Sequence, residues 1–457
     1  MVLAESMKSF ERRKRGSRHS PHVVICQSPA QAGTTQGARM KFARLLAVLA
    51  TVMVPSVAAS QSSYLFVWAG GSGPGASDFM ATIDANPASR SYGRVVATVP
   101  TGTIGMPHHT EQELGPNDHL LANDFTAGRT WLFDLHDPLK PRIMTSFGDV
   151  AGFSHPHTYS RLANGHVLTT FQYRADANTA KEMRDHASSM AGMNNPQTNV
   201  TGGLVEMDEL GHPIMSASAV DPSIRDRFIY PYSVLPIPSI DRAVSTTTDM
   251  NFGDTVATSQ WVQIWRLSDL KLLRTIALPP GSGAHTKANE FSGEPRLLAD
   301  GRRVYIHTFN CGLYLLSDVA RSTPVATLVH TFDGTDCGVP ILTSHYWIQT
   351  VPADHGLVTL DVSDREHPRE VSRVMVGNDE QPHWIAIDHT GRRIVLNSAG
   401  KGNRLFIINF DPANGHMSVD SAFRDPGSNK PGISLAGANW PRGFKGNIVP
   451  HGAVFSR

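Results

Sequence analysis

From about residue 64 onward the chain alternates short apolar-rich runs with turn-forming Gly, Pro, Asn and Asp. The stretch after Gln381 shows the pattern most clearly. HWIAID begins at His383, a turn follows at His389-Thr390-Gly391, RRIVLNS begins at Arg392, RLFIINF at Arg404, and a last run at Met417 follows Pro412-Ala413-Asn414-Gly415. Four short strands joined by tight turns predict one antiparallel meander. RTWLFDLHDP from Arg129, VQIWRLSD from Val262, GLYLLSD from Gly312 and GLVTLDVSD from Gly356 read as third strands of the same kind of unit. No comparable amphipathic helical period runs through these units.

Each unit opens on a proline and one distinctive residue: Pro107-His108, Pro156-His157, Pro231-Tyr232, Pro295-Arg296, Pro340-Ile341, Pro382-His383 and Pro450-His451. The gaps between successive prolines average about 57 residues, which suits four-stranded blades of about 40 to 50 residues lengthened by insertions. The expected fold is all-β, a seven-bladed β-propeller. The seventh unit has one strand before the chain ends at Arg457, so YLFVWAGG from Tyr64, with the character of a third strand, is expected to complete it. That ring closure between the N-terminal strand and the C-terminal strand leaves only short edges. A solenoid of stacked units would leave the final strand uncompensated. The main insertion, Tyr173 to Thr201, falls on the face that carries the repeat prolines, as a lid or as a plain surface loop.

In a propeller the innermost strands line the central channel, so the residue after each proline points into it or stands at its rim. His108, His157, His383 and His451 then converge, because the sixth, seventh, first and second blades are consecutive in a ring. A nitrogen-rich site without carboxylates suits Cu(II) or Ni(II), and copper is the expected metal; a hydrogen-bonded histidine cluster without metal is the alternative. His109 and His155 flank the set as alternative ligands or as groups that orient one. Neighbours in a strand face opposite ways, so His108 and His109 both face the channel only if the strand start is irregular. Tyr232, Arg296 and Ile341 would form the opposite channel wall. Glu111, Asp124 and Asp249 lie near the same rim as candidate proton acceptors.

The full chain has 457 residues, 40% of them hydrophobic, and a formal net charge of +1, which offers no electrostatic case for a nucleic-acid partner. Basic Lys41 and Arg44, the apolar run Leu45 to Val54 and small Val57-Ala58-Ala59 read as a signal peptide beginning at Met40. The chain then divides into an upstream extension (1–39), the signal peptide (40–59) and one propeller domain (60–457), exported to the periplasm or secreted. The apolar run is too short for a membrane span of about 20 residues, and none is expected in the mature chain. Cys311 and Cys337 remain after removal of Cys26; in an oxidising compartment they form a disulfide, and otherwise they are a thiol pair.

MPHHTEQEL from Met106, SHPHTYSRLANGHVLTTF from Ser154, VQIWRLSDLKLLRTIALPPG from Val262 and VPHGAVFSR from Val449 resemble the selenium-binding protein family, which includes the methanethiol oxidases. ATIDANPASRSYGRV from Ala81 is similar to that family's amino-terminal segment, and the resemblance spans nearly all of the mature chain. It implies a seven-bladed propeller and, as in the oxidase members, a copper-dependent conversion of methanethiol, O2 and water to formaldehyde, hydrogen sulfide and hydrogen peroxide. The family's histidine motifs fall on His108, His109, His157, His383 and His451. A small thiol and O2 are the implied partners. The family's selenium-associated cysteine is replaced by Gly93, after Tyr92. The alternative function is a non-catalytic copper- or selenium-binding propeller, or an assembly scaffold. A propeller lactonase would call for a carboxylate-rich calcium centre, and the proline-linked positions do not supply one.

Overall fold

The computed structural model describes residues 62–71, 76–175, 201–224, 229–250, 259–398, 402–435 and 448–457. The upstream extension, the signal peptide and most of the insertion between Tyr173 and Thr201 lie outside the described residues. Among the described residues no helix is long and apolar enough to cross a membrane.

Seven antiparallel sheets form a ring, a seven-bladed β-propeller. Blade 1 comprises Pro107–Thr110, His119–Asp124, Arg129–Asp134 and Arg142–Phe147, paired in chain order. Blade 2 runs from Phe153–Arg161 to Pro213–Ser218, blade 3 from Pro231–Ile237 to Lys271–Ala277, and blade 4 from Ser292–Leu297 to Ala326–Thr331. Blade 5 begins on the two-residue strand Ile341–Leu342 and ends on Arg369–Met375. Blade 6 contains Pro382–Ile387, Arg393–Ser398, Arg404–Phe410 and Met417–Val419, with Ile433–Ser434 added against Arg404–Phe410. Blade 7 closes the ring: Ile448–Phe455 pairs with Tyr64–Gly71, which pairs with Phe79–Asp84 and then Val95–Pro100. The closure is the expected one, but Tyr64–Gly71 is the second strand of its blade, not the third. Its apolar run cannot discriminate the two positions, because both are buried on both faces.

That double burial follows from the interfaces between blades. Seven apolar clusters fill seven interfaces, and successive residues of one strand enter different clusters. Leu120 and Ala122 pack toward blade 7 with Phe66 and Trp68, whereas Leu121 packs toward blade 2 with Phe153 and Phe171. The middle strands therefore read as almost continuous apolar runs, while outer strands such as Arg142–Phe147 are only partly covered. Each large interfacial side chain that is fully buried contributes about 1.5–3 kcal/mol.

Six of the seven inner strands share one irregularity, and it positions the site. Proline has no N–H to give the ladder, and a register shift falls beside it: Pro107/Thr110, Pro156/Tyr159, Pro231/Val234 and Pro382/Trp384. In blade 4 the shift lies just before the proline, between Ser292 and Pro295, and in blade 7 it lies opposite Val67/Ala69. A bulge sets extra residues against the partner strand and re-aims their side chains. The displaced amide is caught by a polar side chain of the second strand. Asn123 Oδ1 accepts from His109 N (2.6 Å), Thr170 Oγ1 from Thr158 N (3.1 Å) and Thr246 Oγ1 from Ser233 N (3.2 Å). His307 Nδ1 accepts from Glu294 N (2.9 Å) and Asn397 Oδ1 from Trp384 N (2.7 Å).

Candidate metal centre

The bulge in blade 1 places His108 and His109 opposite the single residue Asn123, so strict strand alternation does not apply to them. Both are buried, and their rings stack with centroids 4.1 Å apart and planes 8° apart. His383 and His451, from blades 6 and 7, bring their Nε2 atoms within 3.0 Å of each other. One ring nitrogen from each of His108, His109, His383 and His451 lies within 4.8 Å of the others. His109, expected as a flanking group, thus joins the group in the place expected for His157.

His157 stands beside the four, 4.9 Å from His108 and 4.5 Å from His109 between ring centroids. Its Nδ1 donates to the Tyr232 carbonyl (2.8 Å), which leaves the lone pair on Nε2; that atom is buried and has no hydrogen-bond partner. His108 Nδ1 is likewise buried and unpartnered. Orphaned imidazole nitrogens are uncommon in native interiors, and a lone pair presented in this way is what a metal ligand requires. His155 has φ +58° and lies outside the group, its ring edge-on to Phe125 and Tyr173.

Electrostatics keep these rings ready to ligate. Burial lowers the His383 pKa to about 4 and that of His157 to about 3, the latter against the opposing hydrogen bond to Tyr232. His108, His109 and His451 are held well below the ordinary imidazole value, first by burial and then by neighbouring histidines. Neutral imidazole is the ligating form, and the site supplies it without competing protons.

Among the other predicted positions, Tyr232 and Arg296 do border the centre. Tyr232 Oη lies 3.2 Å from His109 Nε2, and burial drives its phenol pKa well up. Arg296 donates to Glu294 Oε2 (3.1 Å) and to the Pro340 carbonyl (3.0 Å). Ile341 instead enters the apolar layer between blades 5 and 6, because Pro340 lies outside the short inner strand of its blade. The three candidate carboxylates all have other partners. Glu111 is ion-paired with Arg161 (2.7 Å), Asp249 accepts from Tyr173 Oη (2.7 Å), and Asp124 accepts from Met106 N (2.6 Å).

The carboxylate that does approach the histidines is Glu294, which the sequence reading missed. Its Oε1 is 3.8 Å from His109 Nδ1 and its Oε2 accepts from Ser233 Oγ (2.7 Å). It lies just before the repeat proline rather than after it, so a search keyed to the following residue passes over it. His307 was missed as well; it is buried, and burial lowers its pKa to about 3. Below His109, a cavity of about 420 Å³ is lined by Glu111, Arg161, Ser233, Glu294, Arg296 and Trp384, among others. On other sides Phe125 stands against His108, and Phe309 stacks near His383. Cys311 and Cys337 form a disulfide that ties the loop after Phe309 to the approach of blade 5. They are not free thiols.

No family model matches the chain. It is 25% identical to a methanethiol oxidase of Hyphomicrobium sp over 359 residues, covering 74% of this chain and 76% of that protein. The chain is a homologue of methanethiol oxidase. Its resemblance to the selenium-binding protein family extends to solved structures. A hypothetical selenium-binding protein from Sulfolobus tokodaii superposes with a TM-score of 0.64 at 15% identity, covering 87% of this chain and 94% of that one. The periplasmic gluconolactonase PpgL of Pseudomonas aeruginosa gives 0.52 at 16% identity, covering 78% and 94%. At those identities the structural likenesses show the propeller alone. At the position where the resemblance implies a selenium-associated cysteine, Gly93 sits at φ +76° in a turn, where a Cβ would meet Ile433 at 3.2 Å. A cysteine there would be strained.

Proposed function

We propose that this methanethiol oxidase homologue is a copper-dependent oxidase of small thiols, with His108, His109, His383 and His451 as the metal ligands and His157 as a fifth nitrogen at the centre. The observation that carries the reading is the convergence of four ring nitrogens within 4.8 Å, with buried orphan lone pairs beside them. All-nitrogen donors suit copper. Bound there, copper would supply a position for sulfur and a one-electron couple.

The chain's own groups would do the rest. Burial keeps protons off the imidazoles at neutral pH. Tyr232 Oη and Glu294 flank His109 and would fix its ring, the carboxylate being held in turn by Ser233 and Arg296. Phe125 and Phe309 make the surroundings apolar on one side, which suits a methyl group and excludes water. The cavity below His109, into which Glu111, Arg161, Glu294 and Arg296 bring charged groups, has room for roughly a dozen waters at about 30 Å³ each, a route for protons and hydrophilic products. The balanced reaction would be methanethiol, O2 and water giving formaldehyde, hydrogen sulfide and hydrogen peroxide. An oxidising compartment is proposed as its location, supported by the Cys311–Cys337 disulfide and the leader-like segment at Met40.

A non-catalytic metal-holding propeller is the second reading, favoured by the structural pairing of Glu111, Asp124 and Asp249. The test is metal analysis of the purified protein together with O2 consumption on methanethiol. Copper with thiol-dependent O2 uptake supports the oxidase; copper without uptake supports the holder; no metal affinity refutes both.

A further inference from the structure

Two carboxylates that the proposed metal site does not use face one another where blade 7 meets blade 1. Asp78 precedes the strand Phe79–Asp84, Asp124 ends His119–Asp124, and both are fully buried. Each holds one amide of the segment that leads to the histidine pair. Asp78 Oδ2 accepts from Gly105 N and Asp124 Oδ1 from Met106 N, both at 2.6 Å. The Asp78 backbone brackets the same segment, donating to Thr103 O and accepting from Thr101 N, each at 2.8 Å. The fit is close: a Cβ on Gly105 would lie 1.9 Å from Asp124 Oδ1. The remaining oxygens, Asp78 Oδ1 and Asp124 Oδ2, are buried without a well-formed hydrogen bond, with only the Gly71 amide near Asp78 and the Ala127 amide and Trp131 indole near Asp124.

We propose that Asp78 and Asp124 share one proton and, as a singly charged pair, act as positioning residues that pin Gly105–Met106 and thereby set His108 and His109 at the centre. A proton between the two orphan oxygens satisfies both, whereas two buried anions with facing oxygens would repel. The groups around the pair are the backbone amides of Gly71, Gly105, Met106 and Ala127, the Trp131 indole and the Tyr159 phenol. Arg129, the cross-strand neighbour of Asp124, lies over the Trp131 ring and donates to Ser146 Oγ (2.9 Å). Burial is the first cause raising the Asp78 pKa, to about 7, with the Asp124 charge adding to it; burial raises Asp124 as well. The folded-state value lies above the ordinary 3.8, so the pair's stabilisation is complete below that value and is lost as pH rises through about 7. Above that, each pH unit lowers the protonated, clamping population about tenfold.

The test is Asp78→Asn, whose carboxamide can accept from Gly105 and donate to Asp124 as the protonated acid does. Thermal midpoints of metal-free wild type and variant are compared at pH 5, 6 and 8.5. The expected result is a variant no more stable than wild type at pH 5 and several degrees more stable at pH 8.5. In the metal-loaded proteins, copper release to a chelator should accelerate about tenfold more in wild type than in the variant between pH 6 and 8.5, as the unclamped population rises from about a tenth to nearly all. A difference that is constant with pH in both measurements overturns the proposal. Asp124→Asn provides the second variant; if neither folds at pH 6, where the acid form should be mimicked, the proposal is also overturned. Only the release measurement rests on the metal reading. A pH-dependent midpoint difference with no metal bound sinks that reading and leaves the clamp standing, and bound metal with a flat difference does the reverse.

Discussion

Replacing Asn123 by Ala tests whether the bulge is what builds the centre. The side chain is fully buried, with Oδ1 accepting from His109 N at 2.6 Å and Nδ2 donating to the Pro156 carbonyl at 3.0 Å. It therefore joins the histidine strands of two blades. Alanine would leave two buried backbone groups unpaired at about 1–3 kcal/mol each, a loss of about 3–4 kcal/mol. With a urea m-value of about 3 kcal/mol/M, the unfolding midpoint of the metal-free protein should fall by about 1 M. Copper stoichiometry after gel filtration should fall with it, since His109 is no longer aimed. Gln263→Leu is the control: it removes a buried hydrogen bond in blade 3, from Gln263 Nε2 to the Ala219 carbonyl (2.8 Å), whose partners do not touch the four histidines. It should cost about 1–2 kcal/mol and leave copper bound. If Asn123→Ala keeps full metal, or if both variants lose metal in proportion to their instability, the bulge does not position the site.

His383→Ala should abolish stoichiometric metal while leaving the far-UV spectrum of the propeller unchanged, and His157→Ala should weaken retention less, since His157 stands outside the group of four; atomic absorption and circular dichroism decide. Metal-free protein should lose stability as pH falls from 6.5 toward 3. His157 and His307 are depressed to about 3 by burial, so the unfolded chain binds their protons first, and each can remove up to about 4–5 kcal/mol by pH 3. Thermal scans at pH 7, 5 and 4 should show that slope, and a flat profile would contradict it. Removing the disulfide by Cys311→Ser with Cys337→Ser frees a loop closed over a separation of 26 residues, worth about 3.5 kcal/mol by chain entropy. Denaturant midpoints measured with and without reductant check it.

The short apolar runs, their turns and the repeat prolines were enough to read the blade number and the ring closure. Both are consequences of local chemistry, since turns and apolar strands are encoded within each unit. The ligand set was only partly legible for the same reason. Alternation predicts one inward histidine of the pair at 108 and 109, and the bulge that turns both inward depends on Asn123 in another strand. A signal for that bulge was present: five second strands each carry a polar side chain in their interior, Asn123, Thr170, Thr246, His307 and Asn397. Asp124 was visible near the rim, but its partner Asp78 comes from another blade and only closure of the ring brings them together. Ile341 misled because the proline repeat persists in blade 5 although its inner strand has only two residues.

The position of the histidines around the ring links the chemistry to the fold's weakest topological point. His451 lies on Ile448–Phe455, the strand that closes blade 7 against Tyr64–Gly71, while His383 belongs to blade 6 and His108 and His109 to blade 1. The proposed ligand set, spread in this way, exists only when the closing strand is docked, so metal binding there and closure would favour one another. Binding restricted to the closed form stabilises it by about 4 kcal/mol at free metal a thousandfold above Kd. Asn397 extends the coupling through protein groups alone, receiving the Trp384 amide in blade 6 while its Nδ2 donates to the His451 carbonyl in blade 7. The Asp78–Asp124 pair lies at the other junction of the same blade, between blades 7 and 1. Both junctions of the closing blade thus carry polar contacts that fix a histidine strand, set beside the apolar clusters that fill the same interfaces. Apolar burial alone is tolerant of small shifts in register or depth, and a centre that needs nitrogens within a few ångströms is not; directional bonds at the two closing junctions supply the missing constraint.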